Sequence, residues 1–93
     1  MTPLHDAANH RFTLEIDGDT AYVDYQPLGD GVVEYSYVFV PPAHRGRGSA
    51  GRLLKFAFDH AREEGWSIRP TCGYIAGQFL PRFPQYHDLI ADR

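Results

Sequence analysis

Cysteine and long apolar runs are both scarce in this sequence of 93 residues. The single cysteine cannot close an internal disulfide, so the chain is not one of the small secreted folds that disulfides hold together. No apolar run approaches the roughly 18–20 residues that cross a bilayer. Residues 1–6 also lack the basic and apolar regions of a signal peptide. We therefore predict a cytoplasmic protein with no membrane partner.

Positively charged residues are also fewer than negatively charged ones. Lys and Arg number 9 against 12 Asp and Glu, which gives a net charge of −3. A general nucleic-acid binder is normally basic, so no nucleic-acid partner is expected and the aromatic residues are assigned to packing. The histidines and acids lack the spacing of metal ligands, such as H-x-x-x-H, so no metal site is expected either.

The remaining composition fits one small domain, since 43% of the residues are hydrophobic. Residues 1–10 are polar and are predicted to form a flexible lead-in, with the domain over residues 11–93. Apolar and polar residues alternate from Phe12, from Ala21 and from Val32 to Val40, which predicts three antiparallel strands. Pro27 is expected to end the second strand, because proline has no N–H to donate.

The second half of the chain changes to a helical period. Apolar residues recur at helical spacing from Ser49 to Glu64, and Gly65 is typical of the position just past a helix end. A short strand is predicted over 66–70, a short helix over 74–80 that the following proline ends, and an amphipathic turn over 85–90. The fold class is therefore α+β (mixed α/β). It would be a mostly antiparallel sheet of about four to five strands, with one long helix after a glycine turn and short C-terminal helices.

The segment between the third strand and the long helix, residues 41–51, is the most informative one. A helix N-terminus leaves about four backbone N–H groups without partners and carries a partial positive charge. Gly46 and Gly48 let a ligand approach this backbone closely, because glycine has no Cβ. Arg45 and Arg47 add positive charge to an acidic chain. These residues predict a phosphate or diphosphate site, with a purely structural glycine turn as the simpler alternative.

Two nucleotide motifs fit this segment poorly. Residues 46–51 spell G-x-G-x-x-G, but they do not follow the strand tightly, and 93 residues cannot supply both halves of a dinucleotide fold. A P-loop would require Lys and then Ser or Thr after Gly51, where the sequence has Arg52 and Leu53. The hydroxyl ligand for magnesium is therefore missing, and we reject nucleotide hydrolysis.

A third pattern, Arg-x-x-Gly-x-Ala at 45–50, resembles the acetyl-CoA-binding motif of the GNAT acetyltransferase superfamily. Segments within 72–89 resemble the short, single-domain (YjdJ-type) subgroup, and the resemblance runs from about residue 11 to residue 89. It implies a minimal GNAT-like fold and an N-acetyltransferase that uses acetyl-CoA. The acceptor would be an amine on a small molecule or a protein, and the CoA diphosphate would lie at the start of the 49–64 helix.

The resemblance also implies roles for individual residues. The expected cofactor-binding set is Val38, Val40, Arg45, Gly46, Arg47, Gly48, Ser49 and Ala50. The family separates the strand before the turn from the strand after the helix, which here implies a cleft between residues 37–40 and 68–72. Cys72 is a candidate nucleophile at the edge of this cleft, or a buried apolar residue. Tyr74 is a candidate proton donor to the leaving thiolate, or a packing aromatic. His44 is interpreted as a surface residue, with a base near the phosphates as the alternative. Glu34 is interpreted as a base acting through water or as a solvated side chain.

Two other functions stay open at this point. The domain could bind CoA with little or no transfer, because it lacks the extra helices and strands with which larger GNAT enzymes shape a substrate site. It could also be a small non-enzymatic interaction domain whose glycine turn is only structural. The sequence is compatible with a monomer and with a homodimer.

Overall fold

The computed structural model describes residues 2–91 and consists of a five-stranded sheet with one long helix. The strands lie side by side in chain order: β1 (Leu4–Asp6), β2 (Arg11–Ile16), β3 (Asp19–Gly29), β4 (Val32–Phe39) and β5 (Ser67–Pro70). Helix α1 (Ser49–Glu64) has the predicted bounds and connects β4 to β5. Strands β1 to β4 pair antiparallel, whereas β4 and β5 pair parallel. The α+β prediction is confirmed; Met1 and residues 92–93 lie outside the described residues.

Strand β1 corrects the prediction of a flexible lead-in over residues 1–10. Leu4 lies opposite Thr13 of β2 and Asp6 lies opposite Arg11, so the start of the chain adds an edge strand to the sheet. The Asp6 carboxylate then accepts a hydrogen bond from the Asn9 backbone N–H at 3.3 Å and caps a short 3-10 turn. Three residues are too few to show an alternating pattern, and the pairing partner lies elsewhere in the sequence.

Strand β3 runs past the point where proline was expected to end it. Pro27 lies opposite Val33 of β4, and the register shifts between Pro27 and Gly29. The pairing with β2 ends at Asp24, so this last part of β3 has a neighbouring strand on one side only. Proline is tolerated at such an edge or bulge, because its missing N–H leaves no ladder bond unmade. The prediction that Pro27 ends the strand is therefore wrong.

One face of the sheet packs against α1 and forms a single hydrophobic core. The helix contributes Leu53, Leu54, Ala57, Phe58 and Ala61. Tyr35 of β4 is fully buried, and its hydroxyl donates a hydrogen bond of 2.6 Å to the carbonyl oxygen of Ala57. Burial raises the pKa of Tyr35 well above its ordinary value, so this phenol stays protonated and acts as a structural tie between β4 and α1.

The chain after β5 returns to α1. It forms a π-helical turn (Ile75–Phe79), a short helix α2 (Leu80–Arg82) and a 3-10 turn (Pro84–Leu89). Arg62 of α1 donates to both carboxylate oxygens of Asp88, at 2.9 and 3.0 Å, and fastens this segment to the helix. The prediction that the proline at position 81 ends the helical segment is wrong. It lies in the first turn of α2, where a missing N–H is tolerated.

Strands β4 and β5 separate part of the way along the sheet. Their parallel register ends at Tyr35 and Pro70, and the Thr71 N–H makes the last bond to the Tyr35 carbonyl oxygen at 3.2 Å. Ser36 is the extra residue of a β-bulge between β4 and β3, and a bulge bends its strand. Residues 36–39 therefore have no strand partner on the β5 side, and a gap opens at this end of the sheet.

Candidate functional site

The turn that opens α1 has a backbone which only glycine adopts easily. Gly46 and Gly48 both have φ of 80°, in the left-handed region that a side chain disfavours. Gly48 is the residue that precedes the first turn of the helix. A Cβ built on either glycine would meet nothing within 4 Å, so the space in front of this backbone is open. A ligand can therefore approach the main chain directly.

The start of α1 is also uncapped. No side chain accepts a hydrogen bond from its first turn, and that turn contains no acidic residue. The first helical bond joins the Arg52 N–H to the Gly48 carbonyl oxygen at 3.0 Å. Among residues 2–91, the N–H groups of Ser49, Ala50 and Gly51 have no acceptor. These donors and the helix dipole make a positive site at the gap between β4 and β5.

A cavity of about 490 Å³ lies at this helix end, and we call it the main cavity. Its lining includes every residue of the predicted cofactor-binding set except Arg47, and it adds His44, Tyr74 and Arg82. Val38, in the part of β4 that β5 leaves unpaired, and Val40, just after the end of β4, supply one wall of the cavity. The structure thus brings the glycine turn, the helix start and the free strand edge to one cavity.

His44 and Arg45 fix the turn from two sides. The Nε2 atom of His44 lies 3.0 Å from a carboxylate oxygen of Asp19, and the imidazole is buried. The interpretation of His44 as a surface residue is therefore wrong, because its partner stands 25 residues earlier in the β2–β3 hairpin. The Arg45 Nε–H donates to the Val40 carbonyl oxygen at 2.8 Å, which leaves the rest of its guanidinium free at the cavity.

The two predicted catalytic residues have different surroundings. Tyr74 is 43% exposed and lines the main cavity, next to the free end of α1. Cys72 is half-buried, packs against the core and is absent from the lining of the main cavity. Glu34 accepts a hydrogen bond of 2.6 Å from the Thr71 hydroxyl, at the point where β4 and β5 separate. Tyr74 therefore has more direct access to a ligand in the main cavity than Cys72 has.

A second cavity of about 420 Å³ adjoins the first, and we call it the basic groove. It shares Gly48, Tyr74 and Arg82 with the main cavity, and it adds Arg52 and Lys55 of α1. Sequence analysis missed this groove, because β5 and the π-helical turn separate Arg82 from α1 in the sequence. A usable signal was present in α1 itself, where two cations stand three residues apart directly after the glycine turn.

Charge is distributed unevenly around these cavities. The chain is acidic overall, with 12 acidic residues, yet no Asp or Glu in the described range 2–91 lines either cavity. In the described part of the chain, Arg11 and Arg62 pair with Asp24 and Asp88. Among residues 2–91, no carboxylate forms a salt bridge with the cations around the helix start: Arg45, Arg47, Arg52, Lys55 and Arg82. This local excess of positive charge favours an anionic ligand.

A parallel strand pair separates here, and a glycine turn opens the connecting helix at the point of separation. This arrangement is that of a GNAT-type fold. A model of the GCN5-related N-acetyltransferase family matches residues 11–89, and the chain belongs to this family. The match confirms the superfamily resemblance of the glycine turn and the C-terminal segments. Among residues 2–91, no helix has the length and apolar character that a bilayer crossing requires.

Relatives and a solved structure agree with this assignment. Protein NATD1 from Bos taurus is 38% identical over 90 residues, which cover 92% of this chain and 79% of that protein. Protein NATD1 from Homo sapiens is 38% identical over 89 residues, with the same shares of the two chains. The solution structure of a GCN5-like protein from Staphylococcus aureus has a TM-score of 0.69 and 24% identity, over 88% of this chain and 81% of that one. This last likeness concerns the fold.

Proposed function

We propose that the protein binds acetyl-CoA in the main cavity and transfers the acetyl group to an amine. The observation that carries this proposal is the set of unpartnered amides at the start of α1, which opens onto a cavity beside a split pair of strands. Membership of the GCN5-related N-acetyltransferase family supports the reaction class. The identity of the amine and the activity itself belong to the proposal.

The helix start would hold the CoA diphosphate. Its donors are the amides of Ser49, Ala50 and Gly51, and Gly48 keeps the approach to them clear. Arg45 adds a charge-assisted contact from a side chain that its bond to the Val40 carbonyl oxygen already orients. The fit is favourable because the helix amides are donors and Arg45 is a cation, and because no Asp or Glu of residues 2–91 lines the main cavity.

Strand β4 would align the rest of the coenzyme. Beyond Tyr35, the β5-facing edge of this strand has free backbone groups, and an amide-containing arm can pair with them as a neighbouring strand would. Such pairing would direct the thioester toward the gap between residues 36–39 and 71–74. The reaction then gains from alignment of two reactants, which is a large part of catalysis in group transfer.

Acetyl transfer needs a neutral amine, a polarised carbonyl and a proton for the departing thiolate. Free amides of β4 would polarise the carbonyl. As the C–N bond forms and the C–S bond breaks, the Tyr74 hydroxyl would supply a proton to sulfur, and the proton that the amine loses would restore the Tyr74 hydroxyl. In the alternative two-step route, the Cys72 thiol attacks the thioester, its sulfur forms the new bond to the acetyl carbon, and its proton goes to the departing thiolate. The amine then takes the acetyl group from Cys72 and restores the thiol.

Two measurements test the proposal. Titration calorimetry with CoA should show binding, and intact mass after incubation with acetyl-CoA should show whether the protein itself gains one acetyl group. A gain that Cys72→Ala abolishes supports the two-step route, whereas an unmodified protein that acetylates polyamines or peptides supports direct transfer. Binding without transfer to any amine would leave a CoA-binding module. Absence of binding would contradict the proposal and favour an interaction domain.

A further inference from the structure

The basic groove has features that the proposed diphosphate site does not use. Arg52 and Lys55 are three residues apart on α1, which places them on one side of the helix and about 4.5 Å apart along its axis. Arg82 of α2 faces them from the C-terminal segment, across the groove. Three cations from two separate elements therefore meet in one cavity, next to the diphosphate site.

These cations have no carboxylate to neutralise them. In the part of the chain that the structure describes, none of the three forms a salt bridge, and no acidic residue lines the groove. The Lys55 Nζ atom lies 5.1 Å from the centre of the Phe83 ring, which holds this side chain along the groove wall. Arg52 stands in the first turn of α1, where a cation opposes the helix dipole. An anion bound in the groove would neutralise these cations and offset the unfavourable interaction of Arg52 with the helix dipole.

We propose that the basic groove binds the 3′-phosphate of CoA, and that Arg52, Lys55 and Arg82 make the protein prefer CoA to dephospho-CoA. This inference rests on the proposed binding of CoA in the main cavity. A phosphate monoester carries a charge of about −1.5 to −2 at neutral pH, which one cation does not neutralise and a cluster of three does. The groove and the main cavity share Gly48, so one ligand with two separate phosphate groups can occupy both.

The test compares the affinities of CoA and dephospho-CoA for the wild-type protein and for variants. Titration calorimetry should give an affinity for CoA at least about tenfold above that for dephospho-CoA, the order of one charge-assisted contact. In the double variant Arg52→Gln and Lys55→Gln, this preference should fall to about twofold or less. Dephospho-CoA should bind the variant as it binds the wild type, because the diphosphate donors are backbone groups of the turn.

Arg69→Gln is the matched control. Arg69 is an exposed cation of β5 that lines neither cavity, so its removal changes the net charge by the same amount per residue without touching the groove. The Arg69→Gln variant should prefer CoA to dephospho-CoA by the same factor as the wild type. Inorganic phosphate serves as a further probe. If inorganic phosphate displaces CoA when the two are present at equal concentration, the groove is a site for a free anion, and the proposal is overturned.

The outcomes separate this inference from the one on which it depends. If neither CoA nor dephospho-CoA binds the wild type, both proposals fail. If both bind and the preference for CoA is absent, or is retained in the double variant, the 3′-phosphate assignment is overturned while CoA binding stands. A preference lost in the double variant and kept in Arg69→Gln supports the assignment.

Discussion

Replacement of Gly48 by alanine gives the sharpest test of the diphosphate site, because α1 carries its own control at the other end. Gly48 precedes the helix with φ of 80°, and Gly65 follows it with φ of 73°. A Cβ would meet nothing within 4 Å at either position. Alanine in the left-handed conformation costs about 1–2 kcal/mol. Each variant should therefore melt about 4–16 °C below the wild type, since about 1 kcal/mol shifts a domain of this size by about 4–8 °C.

The two variants should differ in their affinity for CoA. At Gly48 the added methyl group occupies the open space before the free amides of α1, whereas Gly65 lies at the far end of the helix. Loss of two charge-assisted contacts would lower the affinity by about 100-fold or more. Thermal unfolding and CoA titration on the same samples, at a temperature where both variants are folded, measure the two effects separately.

Either of two results would refute this reasoning. Normal CoA affinity in Gly48→Ala would show that the diphosphate lies elsewhere. An equal loss of affinity in Gly65→Ala would show that the effect comes from the stability of α1 and not from a blocked approach. The wild type also provides an internal check. CoA at 100 times its dissociation constant should stabilise the folded state by about 2.7 kcal/mol.

Three further predictions concern stability. Tyr35→Phe leaves the Ala57 carbonyl oxygen without its 2.6 Å bond and should lower the free energy of unfolding by about 1–1.5 kcal/mol in urea titrations; no change would contradict the proposed tie. Gly51→Ala should raise it by about 0.5–1 kcal/mol in the same assay, because the site is spacious and helical. Burial lowers the pKa of His5 below its ordinary value of 6.5, and the charge of nearby His60 lowers it further. The free energy of unfolding should therefore fall as the pH drops through and below 6.5. Melting temperatures should show a smaller decline in His5→Asn than in the wild type, and equal declines would exclude His5 as the source.

The parts of the fold that depend on neighbouring residues were predictable. Helix α1 begins after Gly48 and ends before Gly65, and both ends are set by local backbone preferences. Strands β2 to β4 follow from alternation, because each buries one face against the same helix. The open glycine turn before α1 could also be predicted, since its glycines and the flanking arginines are consecutive in the chain. Its role as an anion site stays a prediction.

The features that sequence analysis missed all involve a partner far along the chain. His44 is buried because Asp19 accepts its hydrogen bond, and nothing near His44 in the sequence indicates this. Strand β1 depends on β2, and Pro27 is tolerated because β2 has already ended. The basic groove depends on Arg82, which reaches α1 only after the chain has passed through β5 and the π-helical turn.

The parallel pairing of β4 with β5 explains why the site elements meet at one end of the sheet. Parallel strands need a crossover connection, and here α1 is part of that connection, so the loop of residues 40–48 leads from the C-terminal end of β4 to the N-terminus of the helix. The bulge at Ser36 bends β4 near the point where it leaves β5. Free amides of the helix and free backbone groups of the strand therefore face the same gap. A binding site here thus requires no extra domain, and a chain as short as this one can contain it.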